Sequence, residues 1–274
     1  MAPTILITGA SHGIGKATTL LFARHGYDTI LAAREMEPLA AVAEKVQGLG
    51  QKALAIPTDT RDAEQVKNLV QQALDSFGTI DVLLNNAGIC NIGPVEEMSL
   101  EDWHRVIDTN LWGYIHTIHA LLPHFLQRGA GTIVNVGSIG GKVPVPYMAA
   151  YTASKYAVAG LTEALHAELK PKGIHVAGIH PNLTNSDFTT RALFLGKDEQ
   201  EAQQRRQQMN QLLSTPAATQ PEDVAKAIWD AVQQKKDDIL VGSANLSAVL
   251  YRLFPGLTQW VMQRSFEKPI PMPK

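Results

Sequence analysis

The 274-residue chain is predicted to be an α/β protein built on a parallel sheet, and three features of the sequence support this. Short β-branched runs alternate with longer helix-favouring segments from the start, the rhythm of strands joined by crossover helices. The strand runs are almost wholly apolar, as strands covered on both faces must be. A glycine-rich turn, Gly9-Ala-Ser-His-Gly13-Ile-Gly15, falls where the first strand passes into the first helix.

The order of elements follows directly. Thr4–Thr8 reads as a strand, 13–25 as a helix, 29–33 as a strand, 36–49 as a helix and Ala53–Pro57 as a strand. A helix at Ala63–Phe77, a strand at Val82–Asn85, one long helix at 100–126 and a strand at Gly131–Val136 continue the pattern. A helix carrying Tyr151 runs to about Leu169 and stops near Pro171 and Gly173; the strand 174–180 then ends at Pro181. From 182 to 219 the chain turns polar and Gln-rich with little apolar stripe, which reads as a lid with one exposed helix. A helix at Pro221–Gln234, with proline in its first turn, and a strand at 239–242 restore the rhythm. An apolar extension, 243–274, closes the chain.

Hydrophobic residues make up 45% and charged residues 18%, with a formal charge of -2, which fits an ordinary globular protein with no basic field for nucleic acid. Nothing in the composition marks a boundary, so one domain over 1–274 is expected. The first nine residues lack a charged n-region and a full apolar h-region; they read as the first strand, and a cytoplasmic location is expected. The single cysteine, Cys90, rules out an intrachain disulfide and a Cys-rich metal site. His116 and His119 lie three apart on one predicted helix face, but no further ligands can be placed with them, so no metal is expected.

Tyr151 and Lys155, four residues apart in a helix, share a face. A phenol titrates near ~10 and is a poor proton donor or acceptor at neutral pH unless something favours its anion. An ammonium one turn away does so. The pair therefore suits an enzyme that exchanges a proton with an alcohol or carbonyl oxygen.

The glycine turn brings backbone close to a helix amino terminus, where unpaired N–H groups and a partial positive charge receive a nucleotide diphosphate. Its spacing is not that of a P-loop, and Lys16 is followed by Ala17, which offers no hydroxyl for magnesium. Beyond the second strand an acid that would hold the ribose 2′-hydroxyl of NAD is missing and Arg34 is present, which favours the 2′-phosphate of NADP. His12, inside the loop, adds a weaker contact.

With these residues assembled, the chain resembles the short-chain dehydrogenase/reductase family over roughly its first 190 residues. The likeness rests on Thr8-Gly-x-x-x-Gly13-x-Gly15, Asp59, Asn85-Asn-Ala-Gly88, Asn110, Ser138 and Tyr151-x-x-x-Lys155. It implies a Rossmann-like, doubly wound parallel sheet with helices on both faces and the site outside the carboxyl ends of the strands. It also implies that Tyr151 is the acid/base, that Ser138 polarises the substrate oxygen, and that Lys155 lowers the pKa of Tyr151 and holds the nicotinamide ribose. Asn110 would interrupt its long helix and hold a proton-relaying water. NADP(H) would lie against Gly9, Ser11, His12, Gly13, Ile14, Gly15, Arg34, Asp59, Asn86, Ala87, Gly88, Tyr151, Lys155, Pro181 and Ser186.

One departure concerns the run after the strand 174–180, where such proteins continue Pro-Gly, a branched residue and Thr. Here it is Pro181-Asn182-Leu183-Thr184-Asn185-Ser186. Asn182 is expected to keep the turn by taking positive φ, with Ser186 standing in for the threonine. The expected substrate is a small apolar alcohol, ketone or aldehyde, on the strength of Pro144-Val-Pro-Tyr-Met148 and the greasy tail. Alternatives are a 3-oxoacyl-thioester reductase and a catalytically idle NADP-binding sensor or scaffold. The tail reads first as a pocket wall or oligomer interface and second as a membrane-surface segment. A homodimer or homotetramer through the helices at 100–126 and 150–169 is implied by the resemblance.

Overall fold

The structure, a computed structural model, describes residues 2–267 apart from 187, 216, 217 and 243. Its strands are β1 (Thr4–Thr8), β2 (Asp28–Ala33), β3 (Ala53–Pro57), β4 (Val82–Asn85), β5 (Asn91–Ile92), β6 (Gly131–Val136), β7 (Ile174–Pro181), β8 (Leu193–Phe194) and β9 (Asp238–Val241). Seven of them form one sheet in the order β3-β2-β1-β4-β6-β7-β9, and every pairing in it is parallel. The order reverses between β1 and β4, so the connections leave in opposite directions and open a crevice at the carboxyl ends of the strands.

Alternation along each strand feeds two cores. In β1, Ile5 and Ile7 join Phe22 of α1 (Gly13–Arg24), Leu39 and Val42 of α2 (Met36–Gln47) and Ile228 of the helix Pro221–Gln234. Leu6 faces the other way, toward Leu69 of α3 (Ala63–Phe77) and Phe125. All five β1 residues are buried, three of them apolar and the flanking Thr4 and Thr8 β-branched and hydroxylated, so the strand has no solvent face. A buried polar chain fastens the second layer: Thr117 Oγ1 donates to Asn85 Oδ1 (2.6 Å), Asn85 Nδ2 to Asn135 Oδ1 (2.9 Å) and Asn135 Nδ2 to Thr162 Oγ1 (2.9 Å).

The expected helix at 100–126 is two helices, α4 (Leu100–Ile107) and α5 (Gly113–Arg128), joined by a wide π turn at Asp108–Trp112. The turn carries Asn110 inward, where its Oδ1 accepts from the Ile89 N–H and its Nδ2 donates to the Ile89 carbonyl, each at 2.9 Å. A helix of ordinary pitch would not reach that loop. α6 (Ala149–Leu169) carries the Tyr and Lys.

The segment 182–219 contains more order than its composition announces. A short helix α7 (Phe188–Arg191) leads to β8, which pairs with β5, and α8 (Glu199–Leu213) follows, capped by Asp198 accepting from the Glu201 N–H (2.8 Å). Only Met209 and Leu213 of α8 are buried, a stripe too narrow to stand out among its glutamines. After α9 (Pro221–Gln234) and β9 come α10 (Ala244–Leu253) and α11 (Pro255–Glu267); residues 268–274 of the expected extension, and residue 243, lie outside the described residues. Leu253, Leu257 and Trp260 remain half or more exposed. Among the described residues no helix is long and apolar enough to cross a membrane.

Candidate active site

The glycine turn leaves β1 with Gly9 at φ 64° and Gly13 at φ 49°, left-handed conformations that glycine adopts without a Cβ penalty. A Cβ on Gly9 would lie 2.9 Å from Asn86 Nδ2 and 3.0 Å from Ala87 Cα, and one on Gly15 only 2.1 Å from the Gly9 carbonyl oxygen. Backbone cannot retreat from such a contact cheaply. Gly15→Ala is therefore expected to cost ~1–3 kcal/mol of stability through overpacking, read from urea unfolding midpoints.

His12 occupies the N-cap of α1 without capping it; its Nδ1 lies 2.9 Å from Ser11 Oγ. The first N–H groups of α1 thus have no side-chain partner and face a cleft lined by Gly9, Ser11, His12, Gly13 and Ile14. Asn86 holds the turn in place, donating from Nδ2 to the Thr8 (3.0 Å) and Gly9 (3.2 Å) carbonyls, while Thr8 Oγ1 accepts from the Asn86 and Ala87 N–H groups. Bare amide donors, close backbone and no room for side chains are what a dinucleotide diphosphate requires.

Further along the same cleft stand Arg34, Asp59 and Arg61. Arg61 Nε lies 3.0 Å from both carboxylate oxygens of Asp59, and this bonding, with a smaller contribution from Arg34, holds the carboxyl below its ordinary range. Arg61 has no place in the motifs of the sequence, yet it shares the cleft with Arg34. Asp59 is thus engaged by a guanidinium as well as being placed at the cleft wall.

Tyr151, Ser138 and Lys155 meet at a second cavity of about 450 Å³ that adjoins the first; Ile14, Asn86, Gly88 and Ser186 line both. Ser138, two residues beyond β6, caps the short turn that follows and accepts from the Gly140 N–H at 3.0 Å through Oγ. Tyr151 enters in the first turn of α6, its N–H donating to Asn91 Oδ1 (2.9 Å), a cap supplied from sixty residues away. Gly140 lies flat against the phenol: a Cβ there would stand 3.3 Å from Tyr151 Cε1.

Burial dominates the ionisation of this group. It pushes the Tyr151 phenol up, the Cys90 sulfur adds to the rise, and hydrogen bonding with Ser138 opposes it. Lys155 is buried, donates from Nζ to the Val136 carbonyl (2.8 Å) and lies 5.8 Å from the Tyr151 ring centroid. Its own pKa is pushed down to about 8, by burial first. Burial is thus the largest influence on the phenol. Tyr114, which no motif announced, flanks Lys155 at 5.3 Å and also donates to the Val136 carbonyl (3.0 Å).

Asn110 spends both amide donors on protein, on the Ile89 carbonyl and on Ser154 Oγ (2.9 Å), while Ser154 donates to the Tyr151 carbonyl (2.7 Å). Its side chain joins the Gly88–Ile89 loop to the first turn of α6. Asn182 corrects an expectation: among the described residues only Tyr147 and Lys235 combine a side chain with positive φ. Asn182 instead keeps a negative φ beside β9, its N–H donating to the Val241 carbonyl (3.3 Å). Pro181, Thr184 and Ser186 all line the second cavity. His116 Nδ1 lies 2.9 Å from the Thr60 carbonyl oxygen, and His119 is exposed.

A short chain dehydrogenase model matches residues 3–193. Cyclohexanol dehydrogenase of an Acinetobacter species is 39% identical over 177 residues, 64% of this chain and 70% of that protein. A 3-oxoacyl-acyl-carrier-protein reductase of Staphylococcus aureus is 37% identical over 190 residues, 69% of this chain and 77% of that one. Among solved structures, a short chain dehydrogenase/reductase of Burkholderia phymatum in complex with NAD aligns with a TM-score of 0.84 and 26% identity, over 100% of this chain and 98% of that one. A short-chain dehydrogenase of Sphingobium yanoikuyae in complex with NADPH aligns at 0.76 and 29%, over 95% of each chain. The chain belongs to the short-chain dehydrogenase/reductase family of oxidoreductases.

Proposed function

We propose that the protein binds NADP(H) along the carboxyl ends of its strands and interconverts an apolar alcohol with its ketone or aldehyde, using Tyr151 as the acid/base. The observation that carries this reading is the meeting of Tyr151, Ser138 and Lys155 at one cavity continuous with the glycine cleft. When bound, the nicotinamide supplies the hydride chemistry. Gly9, Ser11, Gly13, Ile14 and Gly15 would receive the diphosphate, Asp59 and Asn86–Gly88 the adenosine side, and Lys155, Pro181 and Ser186 the nicotinamide riboside.

Ser138 Oγ accepts from Gly140, which orients the hydroxyl beside the Tyr151 phenol, where both would meet the substrate oxygen. Tyr151, as the neutral phenol, is ready to protonate an oxygen on which negative charge develops. Lys155 would steady the resulting phenolate through its charge. Val143, Val145 and Met148 wall the cavity from one side, Met209 and Leu212 from α8, and Leu250 from α10. This apolar wall favours a hydrophobic substrate, with α8 acting as a lid. Leu250 and Thr258 in this wall support the tail as part of the pocket.

Arg34, with Arg61 beside it, favours NADP over NAD. Arg34→Asp is expected to weaken NADPH binding roughly ten- to a hundredfold, the loss of a charge-assisted contact, and NADH binding far less, by fluorescence titration. Equal losses would detach Arg34 from the 2′-phosphate. For a 3-oxoacyl-thioester substrate, a carrier protein would want basic residues at the rim. The candidates there are committed elsewhere: Arg205 pairs with Glu201 (2.6 Å) and lies over the Tyr147 ring, and Arg206 lies over Phe194. Self-association would use the α4–α5 and α6 faces, where Trp112 and Tyr156 are exposed.

A further inference from the structure

At the end of the sheet opposite the cleft, His166 near the end of α6, His175 at the start of β7 and Asp237 just before β9 come together. One ligand atom from each lies within 4.8 Å of the others. Asp237 Oδ2 is 3.6 Å from His166 Nε2, and its Oδ1 is 3.7 Å from His175 Nδ1. Both separations are too long for hydrogen bonds. They approach the ~3.3 Å between ligand atoms of a tetrahedral ion with ~2.0 Å bonds.

The surrounding bonds prepare these groups as ligands. His166 Nδ1 lies 2.9 Å from the Val176 carbonyl oxygen, so the ring proton sits there and the Nε2 lone pair is left toward Asp237. Metal-bound histidines are oriented by this kind of outer bond. The His175 side chain is 10% exposed, and its Nε2 is buried with no hydrogen-bond partner. The Lys235 ammonium lies near this ring, and the Lys236 backbone also hydrogen-bonds it. Lys235 itself donates to Thr132 Oγ1 at 2.9 Å, and Asp237 supplies the offsetting negative charge.

We propose that His166, His175 and Asp237 form a binding site for a divalent transition ion of zinc type, with a fourth position open to solvent beside half-exposed Asp237. Two imidazoles and one carboxylate suit a borderline ion rather than magnesium or calcium. The site joins the end of the helix that carries Tyr151 and Lys155 to two strands of the sheet. Its occupancy would raise the stability of that junction without touching the cleft.

The test is a calorimetric titration of the chelator-treated full chain with zinc chloride alone, alongside its melting temperature. One zinc per chain and a higher melting temperature are expected. Asp237→Asn, at an exposed position, should leave the circular dichroism unchanged yet weaken zinc binding at least about tenfold, and His166→Gln should do the same. No zinc binding by the wild type, or equal affinity in both variants, overturns the site. Several weak equivalents that survive in the variants also overturn it, since they mark scattered surface histidines.

Discussion

Tyr151→Phe should lower kcat roughly a hundred- to ten-thousandfold, the range set by losing a positioned acid/base, while NADPH affinity stays close to that of the wild type. The substitution removes one oxygen and keeps the ring that packs on Gly140. The backbone cap from Asn91 uses the Tyr151 N–H and is untouched. Folding should therefore survive, and a fall in rate reports the proton. If the variant kept most of its turnover, the proton role of Tyr151 would be wrong.

Lys155→Met should lose both rate and cofactor affinity, because one ammonium is assigned to the phenol and to the ribose hydroxyls. The Val136 carbonyl would keep the Tyr114 hydroxyl as a donor, so no buried acceptor is orphaned. The stability of this variant carries its own signature. Lys155 titrates at about 8 in the folded chain against 10.5 ordinarily, so between those values the unfolded chain holds a proton that the folded chain has released. Stability of the wild type relative to Lys155→Met should then rise with pH across that window. A flat difference would contradict a buried ammonium, and a loss of rate without a loss of affinity would remove the ribose from its partners.

The seven strands of the main sheet are legible in the sequence because strands covered on both faces are dominated by apolar and β-branched residues, as in Thr4–Thr8 and Gly131–Val136. The glycine turn is legible for a related reason: its positions exclude a Cβ. What stays hidden depends on partners distant in sequence. The π turn at Asp108–Trp112 answers to Ile89, twenty-one residues back, and the cap on Tyr151 comes from Asn91. β5 and β8 are two residues each, too short for any periodicity. Asn182 misleads because asparagine tolerates positive φ, whereas here its N–H bonds the Val241 carbonyl and its φ is not positive. The cluster of His166, His175 and Asp237 is likewise assembled only when α6, β7 and β9 align.

The cleft and the cavity are expected to work together in turnover. The most direct measurement is NADPH consumption by the purified protein across a broad panel of apolar ketones and aldehydes, with NADH run in parallel. Turnover of at least one apolar carbonyl, much faster with NADPH than with NADH, is the predicted result. Tight NADPH binding with no turnover on any member of the panel would contradict it and leave a nucleotide-binding protein that does no chemistry.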